Sequence, residues 1–116
     1  MKAVYWQRGE ALDYVNATAE KIEANTVLVI GDCIGVAGMD ILPDEVGAVH
    51  VAGVFEMDKV DATEIPMGKK VYLAEAGITA AASVGDGDSA TANAPAGYAA
   101  APATAEAKKV FVKING

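Results

Sequence analysis

The stretch KKVFVKI, residues 108–114, decides the fold class of this chain more clearly than any other segment. Successive side chains of a β-strand point to opposite faces, and this stretch alternates strictly. Val110, Val112 and Ile114 are therefore predicted to face a core, while the lysines and the phenylalanine between them face outward. A helix would need apolar positions three or four residues apart, so the pattern indicates a strand.

Other short apolar runs, each bounded by turn residues, predict further strands at residues 26–30, 33–37, 48–55, 70–74, 78–82 and 95–100. Gly31 and Asp32 separate the first two runs and predict a hairpin. Residues 48–55 read as one continuous strand with Val49 on one face and His50 on the other. A further short strand at residues 64–65 and a short helix at residues 17–25 remain open.

The segments between these runs are rich in glycine, alanine and small polar residues, above all residues 83–94 and 102–107. We interpret both as loops that contribute nothing to the core, the first of them flexible. The chain is thus predicted to be all-β, a small barrel or sandwich of about seven or eight short strands with long Gly/Ala-rich loops. Residues 1–116 are expected to form one domain, with residues 1–14 as an extended N-terminal arm.

Charge and composition exclude several classes of partner. Sixteen acidic residues against nine basic ones give a net charge of −7, which disfavours phosphate backbones and anionic membrane surfaces. No apolar run reaches the roughly 18 residues that a membrane span requires, and the first residues lack the apolar region of a signal peptide. With a single cysteine, the chain is expected to be made in a reducing cytoplasm.

The residues that carry most enzyme chemistry are scarce. Cys33 is the only cysteine and lies in an apolar run, so we expect a buried structural thiol. His50, the only histidine, is expected to be a polar residue on the outward face of a strand. We therefore expect no catalytic site, no cofactor and no structural metal. Asp86 and Asp88 are close enough to bind a hard cation together, but a solvated loop tip is the default interpretation.

A series of motifs in fixed order resembles a known family. It comprises residues 9–14, 26–31, 34–37, 41–43, 47–49, 53–55 with Lys59, 68–73, 96–99 and 110–114. Together they are similar to the small tailed-phage and prophage proteins catalogued as DUF2190, the capsid cement or decoration proteins. The resemblance spans nearly the whole chain and rests on the order and spacing of the motifs.

This resemblance implies a non-enzymatic β protein that binds the outer surface of an assembled phage head and stabilises it. The implied partners are the major capsid protein and copies of the chain itself, with a trimer favoured and a dimer next. The implied location is the capsid exterior of the virion, after synthesis in the bacterial host cytoplasm. The alternative is a small β-barrel ligand-binding or adaptor module of a phage structural operon.

The aromatic residues of the N-terminal segment are the candidate partner-binding residues: Tyr5, Trp6 and Tyr14. Interface hot spots are enriched in tyrosine and tryptophan. Tyr5 and Trp6 are adjacent, so in a strand they would point to opposite faces and one core could easily bury only one of them. The alternative is that both belong to a first strand in the core.

Overall fold

The computed structural model describes residues 1–85 and 90–116, and within them it contains strands but no helix. This confirms the all-β class. The strands are β1 (Ala11–Val15), β2 (Val27–Ile30), β3 (Cys33–Ala37), β4 (Val46–His50), β5 (Val54–Asp58), β6 (Lys70–Ala74), β7 (Gly77–Thr79), β8 (Ser83–Val84), β9 (Thr91–Ala92), β10 (Ala94–Ala99) and β11 (Lys109–Ile114). Their number exceeds the predicted seven or eight because three of them span only two or three residues, too short for a periodic pattern.

The strands form three antiparallel sheets. One has four strands in the order β1-β4-β3-β2, one has five in the order β5-β11-β10-β6-β7, and β8 pairs with β9. The main core lies between the two larger sheets, where Ile34 and Val36 of β3 pack with buried side chains of the five-stranded sheet. The arrangement is therefore a sandwich, which is one of the two predicted architectures. No closed barrel, the other one, forms among the described residues.

Strand β11 behaves as its sequence predicts. Val110, Val112 and Ile114 are almost completely buried, whereas Phe111 is 47% exposed. The strand pairs with β5 on one side and with β10 on the other, so it is an interior strand of its sheet. The predicted hairpin is also present: β2 pairs with β3, and Gly31 has a φ of 59°, the backbone conformation that a two-residue turn needs at its first central position.

The five-stranded sheet curls until its two outer strands almost meet. Beyond β5, Lys59 forms a parallel bridge to Ile78 of β7, and the Val60 N–H donates to the Ile78 carbonyl over 3.0 Å. Gly77 permits this approach, because a Cβ there would lie 2.6 Å from the Asp58 carbonyl oxygen. The contact is a single bridge and not a strand ladder, so the sheet remains open.

A buried polar cluster holds this junction together. The Lys59 side chain is 7% exposed, and its Nζ donates to the Asp61 carbonyl over 2.6 Å. The Asp61 carboxylate accepts the Thr79 hydroxyl over 2.6 Å and the Ala80 N–H over 2.8 Å. These bonds fasten the segment after β5 to the end of β7, which compensates for burying polar groups.

The prediction of one strand over residues 48–55 is wrong. The chain forms β4 in the four-stranded sheet, leaves the sheet at residues 51–53, and resumes as β5 in the five-stranded sheet. Gly53 lies in the crossing with a φ of 124°, which a residue with a side chain rarely adopts. The apolar alternation continues through the crossing, and periodicity alone therefore cannot show where the chain changes partner.

The interpretation of residues 83–94 as loop is also partly wrong. β8 and β9 pair there, and β10 begins at Ala94. Asp86 and Asp88, the candidate cation ligands, lie outside the described residues. The weak strand at residues 95–100 becomes β10, in the middle of the five-stranded sheet, with Ala96 and Ala99 fully buried. In the second predicted loop, Ala103 is buried and pairs with Ile65.

Small residues are required in β10 because the strands approach closely. A Cβ at Gly97, whose φ is 136°, would lie 2.0 Å from the Lys113 carbonyl oxygen of β11. The pairing with β6 also shifts by one residue between Pro95 and Gly97, a β-bulge. The helix considered at residues 17–25 does not form: the segment is irregular, and Ile22 bridges to Ile41.

Two asparagine side chains connect segments that are not paired with each other as strands. Asn115 follows β11; it accepts the Ile34 N–H over 3.0 Å and donates to the Ile34 and Val51 carbonyls over 2.7 and 2.9 Å. It thereby joins the five-stranded sheet to β3 and to the end of β4. Asn16 is fully buried after β1, and its amide donates to the Glu20 and Ile41 carbonyls over 2.8 Å each.

Candidate functional site

The most exposed apolar side chains of the chain lie in the segment before β1. Residues 1–9, which we call the arm, belong to no strand, and every one of them is exposed. Tyr5 is 83% and Trp6 84% exposed. The alternative in which both residues form a first core strand is therefore wrong. Residues 11–14 of the predicted arm belong to β1, so the segment outside the sheet is shorter than residues 1–14.

Tyr14, the third candidate residue, lies apart from the other two. It is half-buried within β1 and pairs with Gly47 of β4. A Cβ on Gly47 would lie 2.4 Å from the Ile41 side chain, so this face of the β1–β4 pair is packed. The structure thus places Tyr5 and Trp6 together on the arm and Tyr14 in the sheet to which the arm is attached.

Strand β1 presents an unpaired edge. It pairs with β4 alone, and no other strand of the described residues lies along its second side. The Val51 N–H donates to the Glu10 carbonyl and the Asn16 N–H donates to the Glu45 carbonyl, each over 2.9 Å. These two bonds show which residues of β1 direct their backbone groups toward β4. By the antiparallel alternation, the backbone groups of Ala11, Asp13 and Val15 point away from β4. Such an edge is a template for an added strand.

An apolar pair lies on the outer face of β1 and β4. Val15 and Val46 are directly opposite each other and are 54% and 57% exposed. Two residues along the same face, Asp13 is opposite Ala48. We call these four residues the β1–β4 patch. The sequence does not reveal this patch, because an apolar residue in a strand is ordinarily interpreted as core.

The charge of the chain is unevenly distributed along it. The arm has two basic residues, Lys2 and Arg8, and no acidic one. Residues 10–50, which build the four-stranded sheet, have eight acidic residues and one basic residue, a net charge of −7. Residues 51–116 have eight acidic and six basic residues, a net charge of −2. This uneven distribution of charge is visible in the sequence alone when the charges of each segment are counted separately.

One ion pair stands out on the five-stranded sheet. The Lys109 ammonium on β11 contacts the Asp58 carboxylate at the end of β5, its neighbour in the strand pairing. The hydrogen bond to Asp58, reinforced by the charge of that carboxylate, raises the pKa of Lys109 above its ordinary value. The pair is exposed, so it contributes little to folding.

An open groove of about 440 Å³ lies where the β2–β3 turn meets β6 and β10. Its lining includes Tyr72, Tyr98, Pro95 and Lys70. Cys33 also lines the groove and is exposed, so the prediction of a buried thiol is wrong. The residue directly follows the two-residue turn, at the end of the hairpin, where the neighbouring sheet does not cover it.

The geometry does not bring Cys33 and His50 together. His50 is opposite Val36, three residues along β3 from Cys33, which corresponds to about 10 Å. The His50 ring instead packs near Phe55, with ring centroids 6.0 Å apart. Among the described residues there is no group of three or more histidine, cysteine or acidic side chains placed to hold a metal ion. The described residues also contain no helix that is long and apolar enough to cross a membrane.

Comparison with known proteins gives one informative match. The sequence model of a family described as phage cement protein matches residues 6–114, which is most of the chain. No curated protein and no solved structure matches the chain significantly. The matched range includes Trp6 and ends at Ile114, so it contains both sheets and part of the arm.

Proposed function

The chain belongs to the phage cement protein family, and on this premise we propose that it binds the major capsid protein on the outer surface of the assembled head. The role of the family is to decorate and stabilise the capsid of the virion, as structural proteins without enzymatic activity.

We propose a homo-oligomer, with a trimer favoured over a dimer. A cement protein meets many equivalent sites on a symmetric shell, and a symmetric oligomer can occupy several of them at once. Each added contact then raises the overall affinity by orders of magnitude without enlarging any single interface. Small individual interfaces therefore suffice for a protein of this size.

The arm is the proposed attachment element, and the observation that carries this proposal is the exposure of Tyr5 and Trp6. Two large aromatic side chains that are more than four-fifths exposed contribute almost nothing to the stability of the isolated fold. Buried in an interface, such residues are typical hot spots, and truncation of one costs about 2 kcal/mol or more. Tyr14, half-buried in β1, is the third residue proposed to bind a partner.

The proposal is tested by deleting residues 1–7 and measuring both the thermal melt of the free protein and its occupancy on undecorated capsids. We expect a melt close to that of the intact chain, because the deleted residues make no core contact, and a severe loss of occupancy. The single substitution Trp6→Ala should lower occupancy in the same direction.

Phe111→Ala is the matched control, since Phe111 is also an exposed aromatic residue but lies on β11. It should leave occupancy unchanged. A collapsed melt after the deletion would show that the arm belongs to the fold. If melt and occupancy both stayed normal, the arm would have no role in attachment.

A further inference from the structure

We propose that the arm of one copy binds the unpaired edge of β1 in a neighbouring copy and adds a fifth strand to its four-stranded sheet. The inference deepens the proposed function and rests on the homo-oligomer proposed there. The occupant of the β1 edge is thus a second copy of this chain. Its residues 6–8 are the added strand, opposite residues 13–15 of β1, and its residues 2–5 extend past the end of β1.

Charge complementarity points to this pairing. The arm is the one positively charged segment at this end of the chain, whereas residues 10–50 of each copy have a net charge of −7. Four-stranded sheets of two copies would therefore repel each other if they met face to face. A basic segment along the edge of β1 reduces this repulsion, because Asp13 lies in β1 and Glu10 directly precedes it.

The side-chain pattern of the arm matches the β1–β4 patch. In an extended conformation Lys2, Val4, Trp6 and Arg8 share one face, so apolar side chains lie between basic ones. An antiparallel register with Arg8 opposite Asp13 places Trp6 opposite Val15 on the same face. Trp6 then covers the exposed Val15–Val46 pair, and Arg8 meets the carboxylate of Asp13. Both kinds of cross-strand pair stabilise a sheet.

The backbone of both segments is suited to this addition. Ala11, Asp13 and Val15 direct their N–H and carbonyl groups away from β4, as an added strand requires. Val, Tyr and Trp in the arm are residues with high strand propensity. Gly9, with a φ of 75°, interrupts the extended conformation between the arm and its own β1. Nine residues extend to about 30 Å, comparable with the 30–39 Å dimensions of the protein.

Disulfide trapping between two different copies tests the register directly. Trp6→Cys and Val15→Cys are prepared as separate proteins, each with Cys33→Ser, then mixed at high concentration and oxidised. In the proposed register Val15 and Trp6 form a hydrogen-bonded pair, whose Cα atoms lie about 5.5 Å apart, within the range of a disulfide. We expect a covalent heterodimer to form at least tenfold faster than either homodimer.

Val29→Cys replaces Val15→Cys as the control, because Val29 is 53% exposed on β2, the opposite edge strand of the same sheet. It should give no more cross-linking with Trp6→Cys than the homodimer background. Cross-linking through Val29 instead, or none through Val15, would overturn the proposed site. A hairpin in which each arm folds back on its own β1 would also give no heterodimer and would overturn it.

A charge swap provides the second test, with the native mass of the free protein measured by analytical ultracentrifugation. Arg8→Asp places like charges opposite each other and should weaken self-association at least tenfold at low salt. Adding Asp13→Arg restores the pair at unchanged net charge and should return the association to within threefold of the original. Lys70→Asp changes the charge equally on an exposed lysine of β6 and should have less than a threefold effect.

The two proposals fail in different ways. A protein that remains monomeric at millimolar concentration, or whose self-association does not respond to Arg8→Asp, would overturn this inference even if it decorates capsids. A protein that self-associates through the arm but leaves capsids bare would overturn the proposed function and not this inference.

Discussion

The two large sheets of this protein differ in what they bury, and the chain segments that build them differ in net charge. The five-stranded sheet supplies most of the main core, while the four-stranded sheet contributes Ile34 and Val36 to it and keeps a smaller buried group around Ile41 and Val49. The segment of the four-stranded sheet has a net charge of −7, against −2 for the rest of the chain after it.

Because of this difference, the residues that stabilise the fold and the residues proposed to bind partners lie largely in different sheets. The outer face of the four-stranded sheet can carry exposed valines, and the segments between its strands can carry many carboxylates, because exposed side chains contribute little to the free energy of folding. The five-stranded sheet lacks this freedom, since its strands are close enough together to require glycine and alanine in β10. We therefore expect substitutions in the two sheets to affect different measurements.

The largest effect expected is that of Ile114→Ala. Ile114 is fully buried in the main core, and truncation of a buried isoleucine to alanine costs about 2–5 kcal/mol. Val46→Ala on the outer face of β4, where the side chain is 57% exposed, should cost less than about 0.5 kcal/mol. Urea unfolding of both variants measures the contrast. Equal losses of stability would contradict the division between the sheets.

A smaller effect is expected where the two sheets are joined. Asn115→Gly removes three hydrogen bonds to β3 and to the residue after β4, leaving the backbone groups of Ile34 unpaired. Glycine tolerates the positive φ of 55° at this position, so the expected loss of about 1–3 kcal/mol reflects the hydrogen bonds. Hydrogen exchange should accelerate in β3 and β4 more than in β11.

Asn25→Gly is the control for this variant, because Asn25 is an exposed asparagine with a similar φ of 72°. It should change stability by only a few tenths of a kcal/mol. If the two glycine variants were equally stable, the side chain of Asn115 would not couple the sheets.

The smallest effect expected concerns Asp58 and Lys109. The pKa of Lys109 is raised in the folded protein, so the contribution of the pair is complete below the unfolded pKa, near pH 10.4. It is lost as the pH rises through the higher folded value. Asp58→Asn should return the lysine pKa toward its ordinary value and remove this alkaline dependence, with little change in stability at neutral pH. An NMR titration of Lys109 that is identical in both proteins would contradict the assignment.

The fold class could be predicted because strand periodicity is a local property. Residues 108–114 alternate over seven positions, and β11 follows that alternation side chain by side chain. The position of β10 is harder to predict from the sequence, since alanine and glycine do not produce a clear alternation of apolar and polar residues. They become core residues only where two strands approach closely. Cys33 differs from its prediction for a related reason: its apolar neighbours are buried, but its own position at the end of a hairpin is exposed.

The candidate site likewise has one part that the sequence reveals and one part that it does not. The aromatic pair on the arm could be recognised as a candidate from the sequence, because Tyr5 and Trp6 are adjacent in a stretch with few other core signals. The β1–β4 patch could not be recognised, because Val15 and Val46 are 31 positions apart and become neighbours only through the strand register. Their exposure depends on which sheets cover which faces.

By itself, the sequence determined that this protein is all-β and acidic, and that its ordered motifs resemble those of a cement family. These properties depend on composition, on short-range alternation and on motif order, all of which are present in one linear chain. Only the tertiary structure decided that residues 48–55 divide between two sheets, that Asn115 joins those sheets, and that β1 has an unpaired edge. Each of these features depends on contacts between residues far apart in the chain, and these contacts form only when the sheets pack.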